Sequence, residues 1–124
     1  MKKYLLIFLV CVLFLFGCGN NSDKINNDGT VSYMYAKELI INNNAKLVDV
    51  RTSDEYKDNH IEGALLLTLD DIDADKAREV IGDTNTYVIV YCKSGVRSNE
   101  AKKKLTDLGY TNVYDLGSID NWKE

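Results

Sequence analysis

One thiol sits where the chain changes character. In "TYVIVYCKSGVRSNEAKKKLTDLGY", residues 86–110, an apolar run without polar alternation stops at Cys92, and a helical pattern begins a few residues later. A loop that runs from a strand end into a helix N-terminus favours an anion, because unpaired backbone N–H groups and the helix dipole converge there. Gly95 lets the backbone turn so that successive N–H groups point inward, and Arg97 adds a fixed positive charge near the first helical turn. Both features favour thiolate over thiol, and the thiolate is the nucleophilic form. Cys92 is therefore the expected catalytic residue, with the loop behind it as a cup around the charged sulfur.

Other polar residues compete for a role. Asp49 and Arg51 follow a strand end and are candidate supporting residues, although a structural ion pair between them is the simpler expectation. His60, the only histidine, precedes a turn into a strand and is expected to be structural, since a thiolate held by its loop needs no general base. Lys102, Lys103 and Lys104 read as the solvated face of a helix, and Trp122 as a packing residue. One histidine and one usable cysteine cannot make a zinc set, and no phosphate-binding or dinucleotide fingerprint is present. No metal and no cofactor are expected.

The elements that must position Cys92 alternate in type. "SYMYAKELI" is a helix capped by Ser32, "KLVDV" a short strand, "TSDEYKDN" a short capped helix and "GALLLTL" a second strand. "DIDADKAREVIG" reads as a helix stopped by Gly82, and "TYVIVY" as a strand buried on both faces. "SNEAKKKLTDLGY" is a helix with Ala101, Leu105 and Leu108 on one face and Gly109 as its stop, and "NVYDL" is the last strand. Strands separated by helices imply an α/β domain with a mostly parallel central sheet and helices on both faces. In such a sheet, ligands sit beyond the carboxyl ends of the strands, where Cys92 lies.

The N-terminal end has a different composition. Lys2 and Lys3 precede thirteen apolar residues, Tyr4 to Phe16, too few for a permanent bilayer span of roughly twenty but suited to a signal peptide over 1–17. Leu15-Phe16-Gly17-Cys18 resembles the lipobox of bacterial lipoproteins, which implies acylation of Cys18 and an exported protein anchored at the outer face of a bacterial membrane. Residues 18–30, rich in Asn, Asp, Ser and Gly, read as a flexible tether, with the folded domain over 31–124. Cys11 would leave with the signal and Cys18 would carry lipid, so Cys92 remains as a thiol without a disulfide partner. The chain carries 15 Lys plus Arg against 19 Asp plus Glu; loss of Lys2 and Lys3 leaves 13 against 19, or −6. An acidic domain of this kind argues against nucleic acid as a partner.

Five segments together, "LVDVRTSDEY", "HIEGALLL", "VIVYCKSGVRS", "LGYTNVYDL" and "GSIDNW", resemble the rhodanese-like domain family in order and spacing. The family often has Pro where Glu62 stands and a second Gly where Ser118 stands. The resemblance implies a single rhodanese-like domain in which Cys92 accepts a sulfane sulfur as a persulfide. The backbone of Lys93, Ser94, Gly95, Val96 and Arg97 would hold that persulfide, with Lys93 facing an anionic donor. The implied partners are a small anionic sulfur donor such as thiosulfate and a thiol or cyanide acceptor. Two other chemistries stay open: a cysteine-dependent phosphatase or arsenate reductase, and a persulfide carrier or sensor without turnover. Cys92 and Arg97 have four residues between them, whereas the phosphatase pattern has five, so the smaller cup is expected to favour a single sulfur atom.

Overall fold

A computed structural model describes residues 24–124. The expected signal peptide, the expected lipidation site Cys18 and residues 18–23 of the expected tether lie outside the described residues. Among the described residues, internal bonds already form before the expected boundary at residue 31. Ile25 bridges Val31, the Asn26 N–H donates to the Thr30 carbonyl at 2.7 Å, and Asp28 accepts from both the Thr30 N–H and its hydroxyl. Residues 24–30, assigned to the tether from composition, thus form a closed loop, because Asp and Thr side chains supply the turn bonds that apolar burial does not.

Helix α1, Tyr33–Asn43, starts at Ser32, whose side chain accepts from the Tyr35 N–H, and ends at Asn44 in the left-handed conformation. Strand β1, Lys46–Asp49, leads to helix α2, Ser53–Asp58, through a capping box in which Thr52 and Glu55 satisfy each other's backbone N–H groups. Strand β2 keeps only Leu65–Leu66 of the longer strand expected from "GALLLTL". Leu67 and Leu69 still donate to the carbonyls of Asp49 and Val50, but the chain turns into a 3-10 segment at Leu69–Asp71 and leaves the edge.

The single helix expected over "DIDADKAREVIG" is also divided. Asp73 accepts from the Lys76 N–H at 2.7 Å and starts a new helix, α3, Ala74–Val80, after the 3-10 turn. Strand β3, Val88–Cys92, is buried at all five positions, and helix α4, Val96–Asp107, follows it. Gly109 ends α4 as expected: its N–H donates to the Thr106 carbonyl and that of Tyr110 to the Leu105 carbonyl, the paired bonds of a Schellman stop. Strand β4, Val113–Ser118, and a 3-10 turn at Ile119–Asn121 complete the chain.

The four strands form one parallel sheet in the order β2-β1-β3-β4. Side chains alternate across it. Val48, Val88, Val90 and Cys92 join Ala77, Ala101 and Leu105 beneath α3 and α4, while Leu47, Ile89, Tyr91 and Leu116 meet Ala36 and Leu39 of α1 on the other face. Burial on both faces explains why β3 reads as an unbroken apolar run. Cys92 is the last residue of that strand and lies on the face covered by α4, the helix that starts four residues later.

Candidate active site

The loop between β3 and α4 closes on the sulfur. Cys92 Sγ accepts from the Gly95 N–H at 3.0 Å and from the Ser98 N–H at 3.3 Å, and the residue exposes no surface. Gly95, at φ 97°, supplies the left-handed turn that aims its N–H back at the sulfur. The amides of Ser94, Val96 and Arg97 have no hydrogen-bond partner among the described residues, as expected for a loop ending in the first turn of a helix. Two amides therefore hold the sulfur, and three more N–H groups of the same loop are without a partner among the described residues.

Arg97 does not stand free beside the sulfur. Its guanidinium makes a two-point bond to Glu55, at 2.7 and 3.1 Å, across forty-two positions of sequence. The same Glu55 carboxylate caps α2 through the Thr52 N–H and hydroxyl. Arg97 and the cap hold the Glu55 carboxyl at about 2, far below the usual range. Its contribution to the loop brace is therefore present above the ordinary carboxyl range and is lost only as pH falls toward about 2. Glu55 was missed as a site residue, although the Thr52-x-x-Glu55 capping pattern marks its side chain as ordered.

Asp49 and Arg51 form a second carboxylate–guanidinium pair, buried and bidentate, with Nη2 to Oδ2 at 2.8 Å and Nε to Oδ1 at 3.0 Å. Arg51 also donates to the Asn59 carbonyl and lies over the Tyr91 ring. The pair fixes the β1–α2 turn on the Leu47–Tyr91 side of the sheet, opposite the Cys92 side. His60 stacks on Tyr56 at 3.8 Å between ring centroids and meets the Tyr56 carbonyl through Nδ1, a structural setting. Lys93 is exposed on the loop.

Two further residues lie near the loop: Asp115, which carries no sequence signal, and Ser118, which stands where the resembled family often has Gly. Asp115 is buried and accepts from the Gly117 N–H at 2.7 Å; burial raises its carboxyl, against the pull of Ser98 and that N–H. Ser118 donates its hydroxyl to the Lys93 carbonyl at 2.6 Å. Among the described residues no group of three or more His, Cys, Asp or Glu could hold a metal ion.

The structure thus places a buried thiol at a strand end, held by two backbone amides at a helix N-terminus, in a parallel α/β sheet. A sequence profile of the rhodanese-like domain matches residues 32–124, and the chain belongs to that family. It is 33% identical over 72 residues to thiosulfate sulfurtransferase PspE of Escherichia coli, covering 58% of this chain and 68% of that protein. It is 32% identical over 96 residues to thiosulfate sulfurtransferase GlpE of Coxiella burnetii, covering 75% and 85%. Among solved structures, a rhodanese with anions from E. coli superposes with a TM-score of 0.58 at 31% identity, covering 62% of this chain and 89% of that one.

Proposed function

We propose that this protein is a sulfurtransferase that carries a sulfane sulfur on Cys92. The observation that carries the reading is the Cys92 sulfur accepting two loop amides, with three more amides unengaged beside it. The Cys92 thiolate attacks the outer sulfur of thiosulfate. A new S–S bond forms at Sγ while the S–S bond of thiosulfate breaks, and sulfite leaves with the bonding electrons. Cyanide or a thiolate then attacks the terminal sulfur of the persulfide and returns Cys92 to the thiolate. Four residues separate Cys92 from Arg97, one fewer than in the phosphatase pattern, and the smaller cup suits a single sulfane sulfur better than a tetrahedral phosphoryl group. The named activity of the PspE and GlpE relatives supports the same chemistry.

Intact mass tests the reading. The soluble fragment beginning at Asn20 is expected to gain one sulfur atom on incubation with thiosulfate and to lose it on addition of cyanide. A mass that never changes would rule the proposal out. Lipid anchoring through Cys18 at the outer face of a bacterial membrane belongs to the same proposal, on the strength of the Leu15–Cys18 pattern. The full-length chain is expected to fractionate with membranes and Cys18→Ala to lack lipid; an unmodified, soluble wild-type chain refutes the anchor.

A further inference from the structure

Strands β3 and β4 do not stay in simple register. Val90 pairs with Asp115 but Tyr91 pairs with Gly117, so β4 carries one extra residue and Ser118, rather than Gly117, stands opposite Cys92. Gly117 turns there at φ 81°, and a side chain in its place would press against Thr30 and Asn121 at 3.2 Å. The bulge thus brings a hydroxyl to the rim of the cup. Ser118 Oγ lies 2.6 Å from the Lys93 carbonyl and 3.1 Å from the Asp120 N–H. The carbonyl only accepts and the amide only donates, so the single hydroxyl hydrogen is directed at Lys93.

We propose that Ser118 is a positioning residue of the sulfur-holding loop, fixing the Lys93–Ser94 peptide so that the Ser94 N–H stays available to the charged sulfur. The proposal rests on the sulfurtransferase reading of that loop. A trans peptide carries its C=O and N–H on opposite sides, so a carbonyl held against β4 keeps the Ser94 N–H turned away from β4. That N–H has no partner among the described residues. Little else restrains the unit. Lys93 and Ser94 are exposed, and an open cavity of about 570 Å³ lined by Ser94, Gly95, Gly117 and Ser118 leaves room on the β4 side. A peptide free to turn over would present a carbonyl lone pair, instead of an N–H, to an anionic sulfur.

Ser118→Ala and Ser118→Thr separate this role from general stability. Loss of one such hydrogen bond is expected to lower thiosulfate:cyanide kcat in the alanine variant by about tenfold with little change in KM, and threonine, which keeps the hydroxyl, should hold kcat within about twofold of wild type. The Ser94 and Gly95 amide resonances in ¹⁵N spectra should move or broaden in the alanine variant and return in the threonine variant. Merely capping the Ile119–Asn121 turn would lower Tm and move Asp120 without touching Ser94. An alanine variant within twofold of wild type, a loss that threonine does not rescue, or unmoved Ser94 and Gly95 resonances overturns the proposal. If wild-type protein takes up no sulfur, the sulfurtransferase reading fails separately, and the Ser94 resonance alone decides whether Ser118 sets the loop.

Discussion

Cys92→Ser is expected to take up no sulfur from thiosulfate and to lose at least about three orders of magnitude in thiosulfate:cyanide turnover. In the proposed reaction the thiolate is both the attacking group and the atom that carries the cargo, and a serine hydroxyl is neither ionised near neutrality nor able to form a persulfide. The loss should come without unfolding. A hydroxyl at this position still accepts from the amides of Gly95 and Ser98, the two donors that hold the sulfur, so thermal unfolding should shift by only a few degrees. Wild-type protein in the same preparation is expected to hydrolyse no aryl phosphate. Phosphatase activity that vanishes in Cys92→Ser would replace the sulfurtransferase reading with the oxyanion one, and residual sulfur transfer in the variant would move the chemistry to another residue.

The largest loss of stability is expected at Asp49. The carboxylate is fully buried and accepts the Arg51 N–H, Nε and Nη2, so Asp49→Ala leaves a guanidinium in the interior with the Asn59 carbonyl as its remaining acceptor. Breaking one partner of a buried pair costs about 3–5 kcal/mol, a large part of the roughly 5–15 kcal/mol that holds a domain together. Glu55→Gln is the control. Its pair with Arg97 is about one-third exposed, at 29% and 32%, and solvent screening limits the direct loss to about 1 kcal/mol or less. Chemical denaturation should therefore place Asp49→Ala far below both wild type and Glu55→Gln. An Asp49→Ala midpoint within error of the Glu55→Gln midpoint would show that Arg51 finds solvent or another acceptor.

What the sequence made legible follows the range over which each signal acts. The buried run ending at Cys92, the Ser32 and Thr52 caps and the Gly109 stop are local patterns, and each stands where the residues place it. The second strand was overestimated because "GALLLTL" has the composition of a strand throughout, while the turn at Leu69 that ends it depends on contacts with β1. Asp73 was read as a residue inside a helix although its short side chain is better used as a cap, and it starts α3. At the site, Cys92 and the amides behind it were legible because strand, loop and helix are consecutive. The partners from elsewhere were not: Glu55 reaches Arg97, and Ser118 reaches Lys93 only because a one-residue bulge in β4 moves it into register. No spacing rule in one sequence carries a bulge.

The parallel sheet also bears on how fast this chain can fold. Register pairs Val48 with Leu65, Val88 with Val113 and Lys46 with Val88, so each strand pairing must close a loop of more than a dozen residues before its first hydrogen bond forms. The central pairing, β1 with β3, spans the longest of these segments, and α2, β2 and α3 all lie within it. Loop closure is paid in entropy before any sheet contact repays it, which places such topologies among the slower folders for their size. The capped helices are held by local bonds, whereas the loop around Cys92 follows a strand paired on both sides with distant segments. The cup around Cys92 thus hangs on the two strand pairings of widest span, and its geometry is a property of the whole sheet rather than of the loop alone.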